Sequence, residues 1–290
     1  MNPNQAASNI FYQDKQPQTT KVFQLPEQYL NLGNFNILIR PHLGPKPTPE
    51  IKQKLEQFKL ESKPDHIDLV LTPRRNYQFF YSNSPPQNRV DLHLGTDKIM
   101  LQGYYFAATS QLEDLQNWQI TYFDEYGQLL TGLRIVLAHF LILQKRGLLV
   151  HASAAIYKDK GIIFPGHSRK GKTTAISTTP GTILADEVIL VDCQKERPAI
   201  CGTPFGSKLP PHNLSCHDFE VGDLVQSELL KSEKLFPGEI LRLLLKNSIY
   251  LNQSSQITFK VMELASFIAE SVSGNKYFFD KDGKFWHNLF

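Results

Sequence analysis

The chain predicts an α/β fold in two parts: an α/β domain over residues 129–290, preceded over 21–128 by a smaller strand-rich α+β region. Three observations predict it. Short alternating or apolar runs separated by Pro-rich breaks fill the first half. A dense apolar stretch at 129–146 ends in Lys145-Arg146-Gly147, a helix stop signal. Beyond it, the apolar run Gly161-Ile162-Ile163-Phe164-Pro165 leads straight into a glycine-bounded turn that ends in Lys172-Thr173-Thr174. At 290 residues, 41% of them hydrophobic, the chain is long enough for two domains and has the apolar material to bury a core.

Residues 1–20 are rich in Asn, Gln, Pro and Thr and have neither a basic nor an apolar leader block, which predicts a disordered tail rather than a secretion signal. Runs such as Phe35-Asn36-Ile37-Leu38-Ile39 and Ile67-Asp68-Leu69-Val70-Leu71 predict strands. Proline-rich breaks fall at 45–49 and at Pro85-Pro86, with one helix at 49–59. After the 129–146 helix, strands are expected at 148–157, 161–165, 182–185 and 188–191, with a helix leaving the turn between the second and third. The remainder predicts a helix at 239–247, an apolar segment at 261–272 and a turn-rich stretch at 277–286.

The net charge of +3 and the lack of a basic track interleaved with aromatics argue against a nucleic-acid partner. Three cysteines, Cys193, Cys201 and Cys216, lack zinc-ligand spacing and are odd in number, so the expectation is a reducing cytoplasm. The longest apolar segment, 129–143, is interrupted by Arg134 and His139 and falls short of the about 20 residues of a bilayer span, so no membrane partner is expected.

Gly166-His167-Ser168-Arg169-Lys170-Gly171-Lys172-Thr173-Thr174 fits the phosphate-binding pattern G-x-x-x-x-G-K-[ST]. Such a loop works when a strand delivers it and a helix leaves it, because backbone N–H groups then converge on a polyphosphate. The glycines allow close approach, Lys172 reaches phosphate, the Thr173 hydroxyl can ligate Mg²⁺, and Arg169 and Lys170 add positive charge. ATP with Mg²⁺ is therefore the expected ligand.

Phosphoryl transfer also needs a group to hold the metal and a group to take the acceptor's proton. Asp186 and Glu187 end the apolar strand Thr182-Ile183-Leu184-Ala185 and are candidates for both. Asp192 closes the next apolar strand, and spacing alone does not exclude it. An isolated Asp-Glu pair is ordinarily a solvated turn, and a lone His151 is ordinarily a structural residue at a strand end. A guanine-reading switch protein would need N-K-x-D, whereas Asn275-Lys276-Tyr277-Phe278 has Phe in place of the Asp.

Val150-His151-Ala152-Ser153-Ala154-Ala155, the loop, and Leu184-Ala185-Asp186-Glu187-Val188 together resemble the catalytic core of HPr kinase and its relatives, over about residues 130–210. The resemblance implies a domain of the HPr kinase/PEP carboxykinase-like type. It also implies that Lys172 contacts phosphate, that Thr173 with Asp186 and Glu187 manages Mg²⁺, that one of these two acids is the base, and that His151 tunes the pair. Arg169 stands where that family has Gly, and Glu187 where it has Asp. Gly202-Thr203-Pro204-Phe205-Gly206-Ser207-Lys208 replaces the arginine- and glycine-rich signature of the bifunctional kinase/phosphorylases.

The resemblance is thus to shorter, divergent relatives, some of which phosphorylate serine on ribosomally made peptides. It implies a Mg-ATP-dependent kinase acting on a hydroxyl of a peptide, protein or small molecule, with 21–128 available for acceptor recognition and a homo-oligomer open. The alternative expectation is an ATP-binding regulatory protein without turnover.

Overall fold

The computed structural model describes residues 21, 23–76, 90–123, 125–167, 170–206, 209–227, 230–279 and 286. The expected tail, the Pro85-Pro86 break, and Ser168 and Arg169 of the loop lie outside these residues.

The architecture is mixed α/β, and its N-terminal half is strand-rich. A two-residue turn at Gly33 (φ +64°) and Asn34 joins β2 (Gln28–Leu32) to β3 (Phe35–Ile39), a conformation that favours glycine. Alternate residues of β3, Phe35, Ile37 and Ile39, are buried. β1 (Phe23–Leu25) pairs with β4 (His42–Gly44) as a separate two-stranded ribbon. The eight-stranded sheet runs β5 (Lys59–Leu60), β2, β3, β6 (Leu69–Arg75), β10 (Asn117–Tyr122), β9 (Phe106–Gln111), β8 (Lys98–Gly103), β7 (Val90–Leu94). It is mixed, with β6 parallel to both β3 and β10. The helix expected at 49–59 is α1 (Pro49–Glu56), opened by Thr48, whose hydroxyl accepts from Ile51 N–H, and by Pro49 at its first position.

The 129–146 helix is α2 (Tyr126–Leu143), starting and ending three residues earlier than expected. Its start is fixed by Glu125, whose N–H donates to Gln128 Oε1 at 3.2 Å. Its stop does not use Gly147 as a cap. Lys145 takes the left-handed conformation (φ +53°), and Gly147 opens the next strand, where a Cβ would run into the Val191 carbonyl. Arg146 turns away to reach Asp68 at 2.5 Å and to stack over Phe35. At 18 residues α2 is long and apolar enough to cross a membrane, but two-thirds of it is buried, and it packs against β9, β10 and β11.

The second sheet runs β16 (Ser215–Cys216), β15 (Ala199–Cys201), β14 (Val188–Asp192), β11 (Gly147–Tyr157), β12 (Lys160–Pro165), β17 (Phe219–Gln226), β19 (Ser273–Phe279), β18 (Lys231–Lys234), and β13 (Thr182–Ala185) also pairs with β11. The turn-rich stretch expected at 277–286 is corrected here. Tyr277 to Phe279 finish β19, held between β17 and β18, and residues 280–285 lie outside those described. Asn275 and Lys276 are inside the same strand, and the Asn275 amide donates to Glu220, so this segment is not a base-reading loop.

β11 determines where everything else sits. Val150, Ala152 and Ala154 face one side, in a core with α4 (Pro237–Asn247) and α5 (Ser255–Ser271). On the other side, Leu149 packs into the core that holds α2, and Ala155 into the core that holds α3 (Lys172–Ser177). Strand alternation puts His151 and Ser153 on this second face, between the two helices.

Candidate functional site

β12 ends at Pro165, paired with Ala152, and Gly166 N–H donates to the His151 carbonyl at 3.1 Å, so the loop begins beside His151. It closes at Gly171, which caps α3 at φ +88°. A Cβ there would come within 2.6 Å of the buried Phe279 ring, so both conformation and space require glycine. Below the six-residue α3, Trp286 is buried and its indole N–H donates to the Ala175 carbonyl at 2.7 Å.

Lys172 is buried in the loop, its Nζ donating to the His167 carbonyl at 2.9 Å. Burial is the main cause lowering its pKa, while Glu187, and less strongly Asp186, act in the opposite direction. Thr173 is half-buried and Thr174 exposed, and the Thr173 hydroxyl makes no side-chain hydrogen bond. Lys170 is an exception to the expected cluster of positive charge: its Nζ is paired with Asp223 of β17, so its charge is neutralised and ties the loop to the sheet.

β13 and β14 behave as one bent strand against β11, from Ala185 opposite Ala154 to Val188 opposite His151. The bend falls on Asp186 and Glu187, whose carbonyls accept from the Ser153 hydroxyl and from Ala152 N–H. This is no solvated turn. Asp186 is only 3% exposed, and its Oδ2 accepts from Leu209 N–H at 3.0 Å. Gly206 lies so close to Asp186 Oδ1 that a Cβ would come within 2.6 Å, and Lys54 of α1 holds the Gly206 carbonyl at 2.6 Å. Gly206 and Leu209 therefore both lie against Asp186, with Lys54 of the N-terminal region holding Gly206.

Glu187 is half-buried and makes no side-chain hydrogen bond or ion pair within 4 Å. His151 is pushed towards its neutral form, first by burial and then by Lys172, with Arg134 and His167 adding to this and Glu187 opposing it. The structure thus brings together Lys172, His151, Asp186 and Glu187, and adds Arg134, read in the sequence only as a break in an apolar run. Its signal was a guanidinium in the middle of a predominantly apolar helix. Asp192 is not part of this group: at the far end of β14, opposite Gly147, its oxygens accept from Asn34 and from Gln194 N–H.

Among the described residues no group of three or more His, Cys, Asp and Glu side chains is arranged as a metal site. Mg²⁺ at a phosphate site needs less, since it keeps water and takes one or two carboxylates with phosphate oxygens. A hydroxyl at Thr173 with an unshared carboxylate at Glu187 suits that chemistry. A surface cleft bordered by Leu92, Lys98, Met100 and Gln253 includes none of these residues. No family model matches the chain, and no curated protein matches it.

Proposed function

We propose that this protein is a Mg-ATP-dependent phosphotransferase of the HPr kinase-like P-loop type, passing the γ-phosphoryl group to a hydroxyl, with serine in a peptide or protein the favoured class. The observation behind this is the convergence of Lys172, delivered by the loop, with Asp186, Glu187 and His151 on one face of β11. A phosphate cradle alone serves binding; a cradle with two carboxylates and a neutral histidine beside it suits group transfer.

Bound Mg²⁺ would neutralise phosphate charge, held by Thr173 and one carboxylate of the pair. Lys172 would exchange its bond to the His167 carbonyl for phosphate oxygens. The other carboxylate would take the acceptor's proton. His151, held neutral by its surroundings, would avoid adding a charge that discourages that transfer. The bond from Lys54 to the Gly206 carbonyl supports an acceptor-recognition role for the region 21–128, because Gly206 itself lies against Asp186.

The test is incubation of the purified protein with γ-labelled ATP, Mg²⁺ and serine-containing peptides. Wild type should transfer label, and Lys172→Ala should lose transfer with its melting temperature unchanged. Nucleotide binding without transfer to any hydroxyl would favour the regulatory reading, and equal transfer by Lys172→Ala would remove the loop from the mechanism.

A further inference from the structure

Arg134 lies two turns into α2, a helix buried between the two sheets. Its Nε is buried without a hydrogen-bond partner, and its guanidinium forms no hydrogen bond or ion pair. A partly buried cation without partners is costly unless a ligand supplies them.

α2 and α3 pack on the same face of β11, with His151 between them. Arg134 therefore approaches this position from the α2 side and Lys172 from the loop side. Both cations act on the same two groups: each is drawn by Glu187, and each disfavours a charged His151. Neither forms an ion pair with Glu187. Two opposed cations whose N–H donors are largely unused are suited to an anion with several oxygens.

We propose that Arg134 is a catalytic residue that donates to the oxygens of the phosphoryl group in flight, on the side opposite Lys172. The inference rests on the kinase reading above. In the step concerned, the bond from γ-phosphorus to the β,γ-bridging oxygen breaks as a bond to the acceptor oxygen forms. The hydroxyl proton passes to a carboxylate of the Asp186–Glu187 pair, and ADP leaves with the bridging electrons. Charge spreads over the three equatorial oxygens during this exchange, and a guanidinium supplied by the same chain is worth about 10³-fold or more in rate.

The experiment compares wild type, Arg134→Met and Arg134→Lys by calorimetry, using Mg-ADP alone and Mg-ADP with aluminium fluoride, which mimics the transferring group. Wild type should bind the fluoride complex at least about 10²-fold more tightly than ADP. Arg134→Met should keep wild-type ADP affinity, lose that gain, and melt at or above the wild-type temperature, because a partly buried, unpartnered charge has been replaced by an apolar chain. Arg134→Lys should recover part of the gain. Full retention of the gain in Arg134→Met overturns the role of Arg134 and leaves the kinase reading standing. A melting temperature lowered in both variants overturns it too, by showing a structural arginine. Wild type that binds no Mg-ADP overturns the kinase reading, and with it this inference.

Discussion

Asp186 and Glu187 are adjacent in the chain but differently held. Asp186 is buried against Gly206, with one oxygen accepting from Leu209 N–H, whereas Glu187 keeps its carboxylate free of hydrogen bonds beside Lys172, Arg134 and the neutral His151. Amide replacement should separate their roles in steady-state kinetics. One of Asp186→Asn and Glu187→Gln should lower kcat by about 10²- to 10⁴-fold with ATP affinity nearly unchanged, and the other should raise the Mg²⁺ concentration required. Asp192→Asn should keep wild-type kcat, since Asp192 bonds Asn34 and Gln194 at the opposite end of β14. Inactivity confined to Asp192→Asn would overturn the site. The acids were legible in the sequence because an apolar strand ending in a carboxylate is a local pattern. Arg134 was not, because what surrounds a helix residue is decided by packing that no local window contains.

At the scale of elements, the strands flanking the loop were readable to within a residue: 148–157 became Gly147–Tyr157 and 161–165 became Lys160–Pro165. Both are continuous runs buried on two faces, and such runs need no partner to be recognised. β19 was misread as turns because its two neighbours are distant in sequence, one of them more than 40 residues away. Gly171 gives the sharpest test of the loop's geometry. Gly171→Ala must place a Cβ against Phe279 at φ +88°, and should cost about 1–3 kcal/mol in denaturant unfolding together with most nucleotide affinity. Gly238→Ala in α4, with nothing within 4 Å of the added Cβ, should be neutral or stabilising. Equal behaviour of the two variants would contradict the capped loop described here.

For the molecule as a whole, the decisive contact is the one that ties α2 to its surroundings through His139. Its Nδ1 donates to the Ile135 carbonyl at 2.8 Å and its Nε2 accepts from Leu251 N–H at 3.2 Å, so only the neutral ring fits. Burial lowers its pKa to about 4, below the unfolded value near 6.5. The unfolded chain therefore binds the extra proton between those values, and stability falls as pH drops from 6.5 towards 4, by about 2 kcal/mol between pH 7 and pH 5. Urea unfolding of wild type against His139→Leu should show this difference in slope. Parallel pH profiles would show that His139 is not the group responsible.

The core that α2 shares with the eight-stranded sheet also contains Leu149, Val188, Leu190 and Cys201 from the sheet that carries the loop. Two halves sewn together in this way are not exchangeable cassettes. A recombinant graft of residues 21–128 onto a foreign loop domain would leave both partners with mismatched apolar surface, so any change of ligand preference has to be made at exposed positions while the seam stays unchanged.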